Sequence, residues 1–137
     1  MKILLTGAAG NLGRELRPRL KAYCDVLRLS HRRDLGPASA GEETVVAEVQ
    51  DADAMTNLLN GVDAVVHMGG VSTEQPWEPI LQGNIIGAYN LYEAARKNGV
   101  KRIVFASSNH VTGFYRQDQV VSPRDPVRPD GLYGLSK

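Results

Sequence analysis

The chain has 137 residues, 42% of them hydrophobic and 23% charged, with a formal net charge of +1 at pH 7; that size holds one globular core and not two comfortable domains. Scattered lysines and arginines and 6% aromatic residues exclude a basic, base-stacking surface, so no nucleic-acid partner is expected. A single cysteine, Cys24, excludes a disulfide framework, and no apolar stretch has the length of a signal peptide or a membrane span, so a cytoplasmic protein without a membrane partner is expected.

Short apolar runs alternate with longer helical patterns, which is how a parallel sheet with crossover helices is written in sequence. The first strand is predicted at 2–6 and leads into a helix from Asn11 to about Ala22. A second strand is expected at 25–29 and a third at 44–48, followed by a helix over about 52–60. Asp51 and Asp53 stand at its start, where the macrodipole favours negative charge. A fourth strand falls at 63–67, then a long helix over about 80–98 with Gly99 as its stop, then a fifth strand at 102–107. Trp77, after Pro76, reads as a hydrophobic anchor, and Tyr89 and Tyr92 as packing residues. The segment 113–131 contains Pro123, Pro126 and Pro129 and is expected to be an irregular loop over the carboxyl edge of the sheet. No His, Cys, Asp or Glu cluster has metal-ligand spacing, so no metal is expected.

Two motifs carry chemistry. Gly7, Gly10 and Gly13 are spaced Gly-x-x-Gly-x-x-Gly between a predicted strand and a predicted helix. Missing side chains there let the backbone turn tightly and approach a pyrophosphate, whose charge meets free amides at the helix N-terminus. The expected architecture is therefore α/β, a Rossmann-type doubly wound parallel sheet binding a nicotinamide dinucleotide. After the second strand such sites usually offer an acidic residue to the adenosine ribose. This chain has Ser30-His31-Arg32-Arg33 instead, and a guanidinium pairs with a 2′-phosphate, so the cofactor call is NAD(P) with NADP favoured. Asp34 remains available to a ribose diol if the loop folds back. At the other end, Tyr133 and Lys137 stand four residues apart. On a helix they share a face, and the ammonium stabilises a tyrosinate against a reference phenol pKa of about 10.

With the phosphate loop, His67-Met68-Gly69-Gly70 and the Tyr-x-x-x-Lys pair together, the chain resembles the extended short-chain dehydrogenase/reductase family over its whole length. The runs Ile80–Ala95, Phe105–His110 and Arg128–Tyr133 are most similar to the bacterial uronate dehydrogenases within it. The resemblance implies that Tyr133 is the base, that Ser108 hydrogen-bonds the reacting oxygen, and that Lys137 holds the nicotinamide ribose. It assigns Asn84 to a water linking the lysine to solvent. Asn11 and Leu12 would lie under the pyrophosphate, Glu48 and Val49 beside the adenine, and Met68, Gly69 and Gly70 along the adenosine ribose and phosphates. Glu48 stands where the family usually has Asp, and His31 where an NAD-specific relative has its ribose-binding Asp. Ser72, Asn109 and His110 match positions that contact sugar hydroxyls.

The implied reaction is oxidation of a hexuronic acid, or a related aldose, at C1 to an aldarolactone, with a sugar or sugar acid as the small-molecule partner. Two alternatives stand beside it. One is an epimerase or dehydratase of the same family, which would return the hydride. The other is a nucleotide-binding fragment without catalysis, because a complete sheet of this type has six strands and only about five are legible. Residues 1–137 are thus expected to be one NAD(P)-binding domain, cut after the Tyr-x-x-x-Lys pair. The substrate lobe would lie beyond residue 137, and a homo-oligomer is expected of the full-length form. The isolated segment is expected to aggregate or associate and to turn over little.

Overall fold

The structure is a computed structural model that describes Met1 to Lys137. Five strands form one sheet: β1 (Lys2–Thr6), β2 (Val26–His31), β3 (Glu42–Val46), β4 (Ala64–His67) and β5 (Arg102–Phe105). Their order is β3-β2-β1-β4-β5 and every pairing is parallel. Strand order reverses beside β1, which places a ligand crevice at the carboxyl ends of β1 and β4.

β1 is apolar on both faces because both faces are covered. Ile3 and Leu5 pack with Leu27 and Leu29 beneath α1 (Asn11–Leu20), while Leu4 and Val65 pack against residues of α2 (Ala52–Leu58) and α4 (Gly87–Asn98). The arrangement is the doubly wound one expected from the sequence. At β5 the covering stops, and Val104, in register with Val66, is 52% exposed. No helix is long and apolar enough to cross a membrane.

Several boundaries move for identifiable reasons. β2 runs on to His31 because its ladder with β3 continues to the pair His31 and Val46. β5 ends at Phe105, since the Ala106 amide makes the last bond to β4, at the His67 carbonyl, and Ser107 then leaves the ladder. α1 tightens into a 3-10 turn over Lys21–Tyr23. Asp51 caps α2 by accepting from the Ala54 amide at 2.9 Å, and Gly99 ends α4 in the left-handed region at φ 68°.

The long helix is in three pieces. A turn at α3 (Trp77–Ile80) begins behind Pro76, the chain widens to a π-helical stretch over Leu81–Ile86, and α4 follows. Such widenings cluster at functional sites, and this one buries Asn84. Trp77 is 43% exposed, so it is not a buried anchor, and Tyr89 is 66% exposed; Tyr92 meets Phe105 at 6.3 Å. The segment after the 3-10 turn Asn109–Thr112 has no helix or strand until α5 (Leu132–Leu135). That single turn carries Tyr133.

Candidate active site

The glycine loop is shaped by contacts that leave no room for side chains. Gly7 has φ 67°, and a Cβ on it would lie 2.6 Å from the Met68 carbonyl carbon. On Gly13 a Cβ would lie 2.3 Å from the Gly7 carbonyl oxygen. Gly10 caps α1 without a side chain, no acidic residue occupies the first turn, and the first helical bond runs from the Arg14 amide to the Gly10 carbonyl. The amides of Asn11, Leu12 and Gly13 are left for an anion. Thr6 steadies the facing wall: its Oγ1 accepts from the Gly69 amide at 3.0 Å and shares a 2.7 Å hydrogen bond with Nδ1 of buried His67. These features fit a pyrophosphate, and Gly7, Gly10, Asn11, Leu12 and Gly13 line one cavity.

From this loop a cleft of about 1090 Å³ runs along the carboxyl edge of the sheet. One end is walled by Ser30, Arg32, Arg33, Glu48 and Val49, and the middle by Met68, Gly69 and Gly70. Ser30 is buried and its carbonyl accepts from the Ala8 amide, so it holds the loop against β2. Asp34 also lines the cleft, with its carboxylate accepting from the Gly36 amide at 3.0 Å. Arg14 lies on the same wall. None of Arg14, Arg32 and Arg33 has an ion-pair partner. Burial pushes the His31 imidazole pKa down, and the charges of Arg32, Arg33 and Arg14 push it further. The three guanidinium groups thus act together on one place, the His31 imidazole.

The other end of the cleft carries Ser72, Ser107, Tyr133 and Lys137. Lys137 Nζ stands 4.9 Å from the centre of the Phe105 ring and 5.9 Å from that of Tyr133, and its burial lowers the ammonium pKa. Under it, Phe105 stacks on His67 at 5.5 Å. The lysine charge therefore lies beside the phenol in a partly dry setting, where it acts over a short range in low dielectric.

Ser108, Asn109, His110 and Asn84 are not on the cleft wall. Ser108 Oγ instead caps the 3-10 turn, accepting from the His110 amide at 3.1 Å and donating to Asn109 Oδ1 at 3.4 Å. Ser107, one residue earlier, faces the cleft and donates to the Lys137 carbonyl at 3.4 Å. His110 meets the edge of the Tyr133 ring at 5.6 Å, and its Nδ1 is held by the Asp130 carboxylate at 2.9 Å. Gly113 and Gly134 make room for that carboxylate, since a Cβ on either would lie 2.1 Å or 3.2 Å from an Asp130 oxygen. Both amide hydrogens of Asn84 are committed, to the Val71 carbonyl at 3.1 Å and Ser136 Oγ at 2.8 Å, and Oδ1 accepts from the Val71 amide at 2.7 Å. The side chain thereby braces the Val71 backbone against Ser136.

Arg14, Asp130, Glu74 and Ser107 were not singled out by the sequence. Arg14 follows the last motif glycine directly, which was a usable signal. The others reach their places through contacts far along the chain.

The sequence profile of the NAD dependent epimerase/dehydratase family matches residues 3–137. The chain belongs to that family. Among curated members it is 56% identical to a uronate dehydrogenase of Pseudomonas putida over 137 residues, covering 99% of this chain and 51% of that protein. The solved uronate dehydrogenase of Agrobacterium tumefaciens superposes with a TM-score of 0.96 at 54% identity, over 98% of this chain and 51% of the other. A mutant of the Agrobacterium enzyme complexed with NAD superposes equally well, with a TM-score of 0.96 at 53% identity, over 98% of this chain and 51% of the other. The chain thus spans about half the length of the relatives it matches.

Proposed function

We propose that the chain is the nucleotide-binding half of an NAD(P)-dependent dehydrogenase that oxidises C1 of a hexuronic acid in its ring form to an aldarolactone. The observation that carries this is the continuity of one cleft from the bare amides of the glycine loop to Tyr133 and Lys137. High identity to uronate dehydrogenases supports the choice of sugar acid. The nicotinamide, when bound, supplies the acceptor for the C1 hydride.

This chain's own residues handle the proton and the sugar. Tyr133 takes the proton of the C1 hydroxyl onto its phenolate oxygen, and the Lys137 ammonium beside it stabilises that phenolate. Lys137 also faces the place of the nicotinamide ribose. Ser72 meets sugar hydroxyls from the cleft wall; His110 and Asn109 do so from behind it. Asp130 fixes Nδ1 of His110, which leaves Nε2 to the sugar. The hydroxyl that holds the reacting oxygen is Ser108 by its match to the family, reached by a turn of its χ1 away from the cap. If that is so, Ser108→Ala lowers kcat about 100-fold and Ser107→Ala leaves it within about threefold; the reverse ranking in steady-state kinetics would assign the role to Ser107.

Arg32 and Arg33, unpaired beside His31, favour the 2′-phosphate of NADP. The test is to add glucuronate or galacturonate to the full-length protein with either cofactor and follow the absorbance of reduced nicotinamide. Accumulating product with a lower KM for NADP⁺ is expected, and replacing both arginines by serine should raise that KM about 10-fold or more. No net reduction with any uronate would overturn the dehydrogenase in favour of an epimerase. A preference for NAD⁺ would overturn the role of the arginines.

A further inference from the structure

The helical turn that carries Tyr133 has no cap of its own. Its N-cap is Gly131, which offers no side chain, and a lone four-residue turn is unstable unless other parts of the fold hold it. What holds it comes from far away in sequence. Glu74 lies in the loop after β4, two residues past Ser72, and its carboxylate accepts from the Leu132 amide at 3.1 Å and the Tyr133 amide at 3.0 Å. A Cβ at position 131 would lie 2.4 Å from Glu74 Oε2, so a side chain there would push the carboxylate out of this place. Glu74 is not on the cleft wall, although its neighbours Ser72, Thr73 and Gln75 are; it points to the helix and not to a ligand.

The other end of the same turn is tied to the same loop. Ser136 Oγ donates to the Tyr133 carbonyl at 2.7 Å and accepts from Asn84 Nδ2, and Asn84 holds both the amide and the carbonyl of Val71. The loop that presents Ser72 is thereby joined to α5 at both ends of the turn, by Glu74 ahead of Tyr133 and by Asn84 behind it. A displacement of the loop moves the phenol with it.

We propose that Glu74 is a positioning residue for proton transfer: by capping α5 from the substrate loop, it fixes the Tyr133 hydroxyl relative to the sugar. The proposal rests on Tyr133 being the base. Errors of about 1 Å between reacting groups cost on the order of 100-fold in rate, so a loosened turn shows in kcat before it shows in cofactor binding.

The experiment compares Glu74→Ala and Glu74→Gln with the wild type in the full-length protein. Amide hydrogen exchange at Leu132 and Tyr133 reads the contact directly and needs no turnover. Cofactor affinity, kcat, KM for the uronate, and the isotope effect of deuterium at C1 read its consequence. Glu74→Ala should speed exchange at those two amides, keep cofactor affinity within about twofold, lower kcat about 10-fold or more, and enlarge the isotope effect as hydride transfer becomes limiting. Glu74→Gln, which keeps one acceptor oxygen and the shape, should recover part of kcat. Unchanged exchange at Tyr133 in both variants would overturn the proposal. So would unchanged kcat with faster exchange, or cofactor affinity falling in step with kcat. A wild type inactive on every uronate would overturn the proposed function alone, and the exchange comparison would still decide whether Glu74 holds the turn.

Discussion

Tyr133→Phe is expected to lower kcat about 1,000-fold in the full-length protein while cofactor affinity and melting temperature stay near those of the wild type. The substitution removes one oxygen and keeps the ring. The edge contact with His110 and the neighbouring Lys137 ammonium are contacts of the ring, so packing survives. The amide of residue 133 still reaches Glu74. What disappears is the atom that takes the hydroxyl proton, and a positioned acid or base contributes about 100- to 10,000-fold. Steady-state rates and cofactor titration check the two halves of the expectation. A rate within about tenfold of wild type would remove Tyr133 as the base.

A second large effect concerns stability and His67. Burial is the first cause of its depressed pKa and the charge of Lys137 the second; together they bring it from 6.5 to about 4. The folded protein therefore keeps the imidazole neutral down to about pH 4, whereas an unfolded chain protonates it around 6.5. Between these values the unfolded state binds a proton that the folded state refuses. Stability present above pH 6.5 is accordingly lost as the pH falls toward 4, by about 3 kcal/mol across the window. Glu42, held at about 2 by its hydrogen bond from Arg17, loses its contribution between pH 4.5 and about 2, mostly below the His67 window. Urea unfolding midpoints measured from about pH 7 to pH 4 should fall steeply in the wild type and more gently in His67→Gln. Equal slopes would show that another group sets the acid limb.

Local signals carried far. The glycine spacing, the apolar run of β1, the Asp51 cap and the Gly99 stop each depend on a few neighbouring residues, and each has its structural counterpart at the expected place. Arg32 and Arg33 were legible because they stand directly after β2. Less legible were features made by contacts between distant residues. Asn84 looks like a helix residue in sequence; only the π-helical widening and the meeting with Val71 and Ser136 make it a brace. The Asp130 carboxylate reaches His110 through space cleared by Gly113 and Gly134, and no periodicity announces that. Ser107 and Ser108 differ by one residue at a strand end, where the chain leaves the ladder and its alternation no longer tells which side chain faces the cleft.

The position of β1 in the sheet also bears on how the protein is made. Its neighbours on either side are β2 and β4, so β1 gains its second ladder only once the Ala64–His67 strand is in place. Until Ala64–His67 have emerged, β1 can pair β2 alone and keeps its other edge open on a growing chain, exposed to holding chaperones and to pairing with neighbouring nascent chains. Slow synthesis before residue 67 would prolong that exposure.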